Sequence, residues 1–328
     1  MPAPARNAPQ TRPQTRPPRP LPAALAALAV LLAFPALAAG CASAPSSPAA
    51  APAMAPPAIP EPPVLTQVAD RSLPVEAYLL SGAQYRRLST AEDVLVSRCM
   101  QDFGLPYERP PAPDAEPPGQ TAHRYDPVDP RVAAAHGYHP ADPNTGAKPA
   151  EPSISPDAAT VLGAGTAGGP GTPAAPRSYR GRPVPPGGCL GQAHTRLTAH
   201  GGTGRDPDLV VGINFGGYQQ STTDPRVKDV FQKWSACMKA KGFSYATPTD
   251  AAKDPRWTSA PEPTPEELAT ATADVACKAA VNVVGVWFTV ESAYETQAIQ
   301  QKLPELTRIK QDNDAMLATA ASVTAANP

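Results

Sequence analysis

The strongest helical pattern in the chain follows Asp224 and Pro225. Apolar side chains recur there at intervals of three and four residues, at positions 227, 231, 234 and 237. This spacing places them on one face of an α-helix. Asp is a favoured N-cap and Pro a favoured first helical residue. Gly242 suits the left-handed position beyond a helix end, so the pattern predicts a helix that ends there.

Capping signals predict three further helices. Residues 264–267 (TPEE) combine a Thr cap, a first-position Pro and a capping-box Glu, and predict a helix that runs through Cys277. Residues 89–92 (STAE) have the same capping-box spacing and predict a helix to about residue 103, ended by Gly104. Residues 129–137 begin with Asp-Pro and end with Gly, which predicts a helix of two turns.

Weaker patterns complete the secondary-structure prediction. Residues 73–80 and 190–197 are predicted as short helices, and the apolar run 209–215 (LVVGINF) as a strand. A long C-terminal helix is predicted around 284–309, with kinks or breaks at Gly285 and Pro304. The small, polar tail after residue 317 is predicted to fray.

Two segments of the chain repeat each other. Residues 99–110 (CMQDFGLPYERP) match residues 237–248 (CMKAKGFSYATP) without a gap, with Cys, Met, Gly, Tyr and Pro in common. Each copy predicts a helix whose last turn carries a cysteine, followed by a Gly stop. A second cysteine follows each copy, Cys189 after Cys99 and Cys277 after Cys237. The predicted fold is therefore mainly α, with two disulfide-stapled helical-hairpin repeats and long Pro/Gly-rich disordered segments.

The repeat favours one disulfide pattern. Four cysteines allow three pairings, and the sequence alone leaves all three open. The two copies favour pairing within each copy, Cys99 with Cys189 and Cys237 with Cys277.

The N-terminus has the layout of an export signal. A basic stretch without acidic residues precedes a short apolar run, and small residues lead to Cys41. The run is too short to cross a bilayer comfortably, although a retained membrane helix is an alternative. The sequence Leu-Ala-Ala-Gly-Cys at 37–41 resembles a bacterial lipobox, which implies a lipid on Cys41. The alternative is ordinary cleavage near Ala39, but lipidation leaves an even number of cysteines for disulfides.

Composition places the chain between globular and disordered proteins. It has 46 Pro and 23 Gly among 328 residues and 5% aromatic residues, so about half of the exported part is expected to form a packed core. The predicted division is a signal peptide (1–40), a disordered Pro/Ala tether (41–63), a first helical repeat (64–200) with a disordered insertion at about 110–186, and a second repeat with the long C-terminal helices (201–328).

Together these motifs resemble exported lipoproteins of high-GC actinobacteria. The resemblance rests on the lipobox, the Pro/Ala tether, the repeated Cys-Met motif and residues 273–278 (ADVACK). It implies a compartment and a fold, and it supplies no catalytic residues.

Candidate chemistry is sparse. Residues 163–168 (GAGTAG) match a dinucleotide-binding pattern, but the Gly/Pro-rich sequence after them predicts a linker instead of a helix. His136 and His139 are a candidate metal pair, although Gly137 separates them and structural zinc wants four ligands. A weaker alternative is a metal or small-ligand site that uses His136, His139 and Asp129. His194 and His200 follow Cys189, which a disulfide would make inert as a nucleophile. No cofactor and no catalytic residue is predicted.

Charge excludes one class of partner and leaves others open. The net charge is −1, and loss of the arginine-rich signal makes it more negative, which argues against nucleic acid. Five basic residues give the helix of Trp234 a basic side that is either solvated or meets anionic wall polymers: Arg226, Lys228, Lys233, Lys239 and Lys241. The acids Glu291, Glu295 and Glu305 are assigned to a solvent-facing side of the last helix.

We therefore expect a lipid-anchored protein on the outer face of the cell membrane, acting as a binding or scaffolding module. The long C-terminal helices are the expected partner surface, because amphipathic helices need something to cover them. The alternative is a cell-envelope hydrolase or a regulator of one, and the sequence does not decide between them.

Overall fold

Helices form the body of the protein in a computed structural model, which describes residues 56–68, 70–107, 121–141, 154–163, 178–203 and 207–326. All of these residues belong to one unit, Met54–Pro328. The elements in chain order are a 3₁₀ turn (Pro74–Tyr78), α1 (Gly82–Asp102), α2 (Pro130–His136), α3 (Pro156–Leu162), β1 (Ser178–Tyr179), β2 (Arg182–Pro183), α4 (Gly188–Leu197), α5 (Asp208–Thr223), α6 (Pro225–Ala240), α7 (Pro248–Ala252), α8 (Pro255–Thr258), α9 (Pro265–Ala280), α10 (Val283–Gln301) and α11 (Leu303–Ala325). The two strands form a minimal antiparallel hairpin.

One disulfide joins two helices within each repeat, in the pairing that the repeat favours. Cys99 on α1 bonds to Cys189 on α4, and Cys237 on α6 bonds to Cys277 on α9. They close loops with sequence separations of 90 and 40 residues. In the simple chain-entropy model, closures of this length stabilise the fold by about 4–5 kcal/mol each. Such restraint helps a chain with few aromatic residues to keep a folded body.

The ends of α1 and α6 have the same local structure. Gly104 and Gly242 both have positive φ, at 71° and 94°. The next residue in each copy donates its N–H back to the buried methionine carbonyl, Leu105 to Met100 and Phe243 to Met238. These are the hydrogen bonds of a Schellman-type helix end. The repeat seen in sequence is therefore a repeat of backbone structure.

A serine extends the repeat upstream of its cysteine. Ser97 Oγ donates to the carbonyl of Tyr107, and Ser235 Oγ donates to the carbonyl of Tyr245. Both bonds span ten residues and hold the turn after the helix against the helix itself. A short Pro-initiated helix also packs beside each helix that carries a second cysteine, α3 beside α4 and α7 beside α9.

Each repeat is covered by an element that belongs to the other half of the chain. α11 returns to pack on α1 and α4 of the first repeat, where Met316, Ala320 and Val323 are buried. In the other direction α2, which lies within the first repeat, packs on α9 of the second. The main core surrounds Trp234 and Trp287 and is built mostly from α6, α9 and α10.

Three of the four helices predicted from capping signals begin at their predicted caps. α6 begins after its Asp224 cap, α9 after Thr264 with a complete capping box, and α2 after Asp129. α4 matches the helix predicted at 190–197.

The predicted strand at 209–215 is wrong, because these residues lie in α5. The buried residues of α5 are Val210, Ile213, Gly217 and Ser221, spaced by three and four residues as on one face of a helix.

The predicted helix start at 89–92 is also wrong. α1 begins at Gly82, and the complete capping box joins Ser81 and Gln84. Leu88 and Ala91 are buried on the same helix, so the 89–92 pattern lies within it.

The C-terminal prediction changes in two places. Gly285 lies inside α10 instead of breaking it, and an added Cβ there would lie 1.9 Å from the carbonyl oxygen of Pro63. The absence of a side chain at Gly285 therefore allows the backbone at Pro63 to lie close to α10. The break comes at Lys302, just before the Pro304 turn of α11. The tail after 317 does not fray, because α11 continues to Ala325 and buries Val323.

Segments predicted to be disordered contain ordered structure where the chain is described. Residues 56–63 of the predicted tether run along α10, with Ile59 packed against the main core. Arg226 Nη1 donates to the carbonyl of Pro57, and Asn282 Nδ2 donates to that of Pro63. Within the predicted insertion, α2 and α3 are helical, and residues 121–141 are ordered. The predicted signal peptide, Cys41 and the first part of the predicted tether, all within residues 1–55, lie outside the described residues.

Candidate functional site

Residues 121–141, here called the crossing segment, pass from the first repeat onto the surface of α9 and α10. Their sequence explains the local structure. Asp129 Oδ1 accepts the N–H groups of Arg131 and Val132, which begins α2. Gly137, at φ 64°, ends it. Tyr125 and Ala133 are buried against the second repeat.

Asp274 is the central acid beneath the crossing segment. It is fully buried on α9 and accepts three hydrogen bonds. Trp234 Nε1 donates to Oδ1 at 2.9 Å, Tyr138 OH donates to Oδ2 at 3.3 Å, and Lys278 Nζ lies 3.1 Å from Oδ2. Burial raises the pKa of the Asp274 carboxyl, and the charge of Lys278 opposes that rise. The carboxylate joins α6, α9 and the crossing segment.

Lys278 connects the same acid to the backbone of the crossing segment. Its Nζ donates to the carbonyls of Tyr125 and Pro127, each at 3.0 Å, and the residue is 2% exposed. A buried ammonium needs such a complete set of acceptors, because an unpaired charge away from water is very costly. Lys278 therefore fixes the path of the chain around Asp126.

Glu291 provides a second buried attachment, on α10. Arg124 donates to its Oε1 through Nε and Nη2, and Tyr125 OH donates to its Oε2 at 2.8 Å. Arg124 also donates to the carbonyl and side-chain oxygens of Asn214, which adds α5 to the network. Burial raises the pKa of Glu291, and the guanidinium of Arg124 lowers it.

Glu267 holds the other end of the crossing segment. Its Oε1 accepts the backbone N–H of Tyr138 at 2.7 Å and contacts His139 Nδ1 at 2.8 Å. His139 Nε2 lies 3.0 Å from the carbonyl of Ala260, so both ring nitrogens face acceptors. The Ala260 carbonyl, followed by Glu267, raises the pKa of His139 because both favour the protonated ring. Gly137 is required here, since an added Cβ would lie 2.5 Å from Glu267 Oε1.

Glu295 is a buried acid with one unused oxygen. Val75 N–H donates to its Oε2 at 3.0 Å, while its Oε1 is buried without a hydrogen-bond partner among the residues that the structure describes. Gly217 on α5 makes room for it, since a Cβ there would lie 2.7 Å from Glu295 Cγ. Burial raises the pKa of Glu295 to about 8, with a further contribution from the charge of Glu291. The carboxyl is therefore protonated in the folded protein at neutral pH.

A cleft of about 640 Å³ opens on the outer side of the crossing segment. Its lining is mainly apolar and includes Val68, Val128, Val132, Pro140 and Ala252. Six side chains with polar atoms also line it: Gln67, His123, Asp126, Asp129, Tyr138 and His139. His123 Nδ1 is hydrogen-bonded to Asp126 Oδ2. The N–H of Arg131 holds the pKa of Asp129 below its usual range, and Arg131 Nη2 lies 3.6 Å from Asp129 Oδ2. The cleft thus has two carboxylates on its lining, each with a nearby basic group. We call it the crossing-segment cleft.

The structure separates the candidate residues that the sequence grouped. Asp129 lines the cleft and caps α2, and His139 lines it while bonded to Glu267, but His136 is not among the lining residues. In the described part of the chain, no group of three or more His, Cys, Asp or Glu side chains is placed to hold a metal ion. Most of the 163–168 motif lies outside the described residues, and Gly163 ends α3.

Two assignments of charged residues change. Glu291 and Glu295 are fully buried instead of solvent-facing, whereas Glu305 is exposed. On the basic side of α6, Arg226 is hydrogen-bonded to Asp224 and Lys233 is paired with Asp229. Most apolar positions of α10 and α11 pack against α5, α6 and α1, whereas Leu303 at the start of α11 is exposed.

The buried acids were missed although a signal for them existed. Glu291 lies four residues after Trp287 and seven after Val284, so it shares their helix face. An acid on an apolar face must find a partner inside the protein. The partner, Arg124, is 167 residues away in sequence and in a Pro-rich region, which no local pattern connects to α10.

Within the described residues, no single helix is long and apolar enough to cross a membrane; the bent pair Pro265–Ala280 and Val283–Gln301, at 68°, passes that test only when taken together.

Comparison with known proteins returned no match: no family model, no curated protein and no solved structure is similar to this chain.

Replacing Lys278 by Met should destabilise the protein strongly. The substitution keeps the aliphatic stem but leaves Asp274 and two buried carbonyls without their shared donor. Breaking a buried pair in this way costs about 3–5 kcal/mol. Urea unfolding with the disulfides intact measures the loss. The matched control is Lys302→Met, whose exposed ammonium lies 3.5 Å from Glu305 and should cost less than about 1 kcal/mol. Equal losses in the two variants would contradict the role of Lys278.

Replacing Glu295 by Gln should make the protein more stable in alkaline solution. The folded-state pKa of Glu295 is about 8, above the reference value of 4.5. The folded protein therefore retains a proton that the unfolded chain loses, so this group's stabilising contribution declines as the pH rises from 4.5 through 8. Glu291, Arg124 and Glu76 are the charged groups that act on it. Gln does not titrate, and its amide fits the same space.

The expected readout is a gain that grows with pH. For a domain of this size 1 kcal/mol corresponds to about 2–4 °C in Tm, so we expect a gain of at least about 3 °C at pH 8.5 and little change at pH 5. Thermal unfolding at both pH values measures this. Glu305→Gln, at an exposed site, should show no such trend. A Glu295→Gln curve parallel to that of the unaltered protein would refute the assignment.

Proposed function

We propose that the protein is a lipid-anchored lipoprotein on the outer face of the cell membrane, and that its helical body binds a ligand in the crossing-segment cleft. The anchor is supported by the resemblance of residues 37–41 to a lipobox. Fifteen residues separate Cys41 from Pro57, which is docked on the body. This length is on the order of 50 Å at full extension, so the body would work close to the membrane surface.

The cleft is the observation that carries the binding proposal. Its volume of about 640 Å³ lies in the range of about 300–1,000 Å³ that is usual for small-molecule sites. It combines mainly apolar walls with a few polar groups, as such sites do. The wall formed by residues 121–141 is held by Glu267, Asp274 and Glu291 through buried hydrogen bonds. A wall fixed in this way is pre-organised, which reduces the entropy lost on binding.

The chemistry of the lining defines a class of ligand. Asp126 and Asp129 place carboxylates beside valine, proline and alanine side chains. A ligand with an apolar body and an ammonium or other hydrogen-bond donor matches both parts. Acidic ligands would meet repulsion at the same position.

Hydrolysis remains the second candidate, on one observation. His123 and Asp126 form a hydrogen-bonded pair on the cleft, an arrangement in which a carboxylate orients a histidine base. Among the described lining residues there is no Ser, Thr or Cys, so the base would have to act on water. Binding is favoured because it uses the whole lining, whereas hydrolysis uses this pair alone.

A cationic aromatic probe tests the cleft. Dansylcadaverine carries a primary ammonium on an apolar fluorophore, and its fluorescence should rise when it binds the purified protein. Ala252→Trp, which fills the cleft, should abolish the change, and Asp126→Asn should weaken binding at least about fivefold, or about 1 kcal/mol. Ala246→Trp, on an exposed turn beside the same helix, is the control for adding an indole. Unchanged binding by Ala252→Trp would exclude this cleft as the site.

The anchor is tested by labelling in cells. The unaltered protein should incorporate labelled palmitate and sediment with membranes, because acylation supplies the membrane affinity. Cys41→Ala should lose the label, and Ser46→Ala, in the same tether, should keep it. Label retained in the Cys41→Ala variant, or absent from the unaltered protein, would exclude lipidation at this cysteine.

A further inference from the structure

A second pocket lies in the first repeat, away from the crossing segment. It has a volume of about 370 Å³ and is bounded by α1, α4 and the last two turns of α11. Leu95, Ala193 and Val323 provide its apolar surface. Its polar lining includes two arginines, Arg98 from α1 and Arg196 from α4. We call it the two-arginine pocket.

The two arginines have no partners within the described part of the chain. Neither Arg98 nor Arg196 forms an ion pair, a hydrogen bond or a ring contact there. Other arginines of the body differ: Arg124, Arg226 and Arg256 each bind a carboxylate. Two unpaired guanidinium groups on one small pocket leave several N–H donors available, and guanidinium donors match the geometry of phosphate and carboxylate oxygens.

The disulfide fixes the helices that carry these arginines. Arg98 directly precedes Cys99 on α1, and Arg196 lies two turns after Cys189 on α4. The Cα atoms of Cys99 and Cys189 are 5.6 Å apart. α11 closes the third side through Thr319 and Ser322. The pocket is therefore built on rigid helices and not on a loop, which favours a defined ligand geometry.

The repeat provides an internal comparison. At the same offset, the counterparts of Arg98 and Asp102 in the second copy are Ala236 and Ala240. The second copy keeps the disulfide, the Gly stop and the Ser-to-carbonyl bond without these charges. The repeated helix end therefore forms without an arginine at this position, so Arg98 is not required for it.

We propose that the two-arginine pocket binds a phosphate group esterified to a small alcohol. The guanidinium groups of Arg98 and Arg196 would bind the phosphate oxygens, which they do with paired hydrogen bonds. The Gln192 side chain offers an additional amide donor at the same lining. Asp102 also lines the pocket, and its carboxylate would accept a hydrogen bond from a hydroxyl of the alcohol part, which favours an ester over free phosphate. This inference is independent of the crossing-segment cleft.

Calorimetry with soluble probes on the full chain tests the proposal. The probes are inorganic phosphate, glycerol 3-phosphate, and glycerophosphoglycerol, the deacylated headgroup of phosphatidylglycerol. Binding of at least one ester is expected, weakened by added salt because the contact is between charges. Arg98→Gln and Arg196→Gln should each weaken it at least about tenfold. Both side chains are exposed, so Tm should stay unchanged.

The remaining arms distinguish the source of the phosphate. Tighter binding of glycerophosphoglycerol indicates a phosphodiester, as in lipid headgroups or wall polymers, and tighter binding of glycerol 3-phosphate indicates a soluble monoester. Arg308→Gln, on α11 outside the pocket, removes the same charge and should leave affinity unchanged. The proposal is overturned if no ester binds at concentrations on the order of 10 mM, if inorganic phosphate binds most tightly, or if Arg308→Gln weakens binding as much as Arg98→Gln.

Discussion

Buried carboxylates on α9 and α10 are the constraint on which the arrangement of this protein depends. Glu267, Asp274 and Glu291 are each fully buried, and an ionised group without partners in such a place would be prohibitively costly. Their partners come largely from residues 121–141, a segment from the other repeat. The acids therefore fix the path of that segment, and its path in turn forms the cleft.

This constraint also explains how a chain with so much proline keeps a single body. The crossing segment cannot leave the second repeat without exposing the acids, and α11 cannot leave α1 without exposing Met316 and Val323. Each half of the chain thus covers the other. The disulfides act within the halves, at Cys99–Cys189 and Cys237–Cys277, and the polar network acts between them. The disulfides therefore restrain each repeat, and the buried polar groups and α11 hold the two repeats together.

The local signals in the sequence predicted local structure well. Asp129, Asp224 and Thr264 each begin the helix that their cap predicts, because a cap needs only the next three residues. The same locality explains the errors. The 89–92 pattern has capping-box spacing, but Ser81 and Gln84 make the box that forms. The run at 209–215 has strand-like composition. In the fold it packs against α10 and the 3₁₀ turn as a helix, which buries Val210 and Ile213 on one face.

The sequence by itself determined the helix caps, the repeated Cys-Met motif and, through it, the favoured disulfide pairing. It also determined the expectation of export and of a lipid on Cys41, since a signal and a lipobox are contiguous motifs. Only the tertiary structure decided that Glu291 and Glu295 are buried, that Arg124 reaches α10, and that residues 56–63 dock on the body. These features join residues more than a hundred positions apart, and their energies depend on burial, which a linear pattern does not specify. The two-arginine pocket belongs to the same class, because Arg98, Arg196 and Ser322 meet only when three helices are packed.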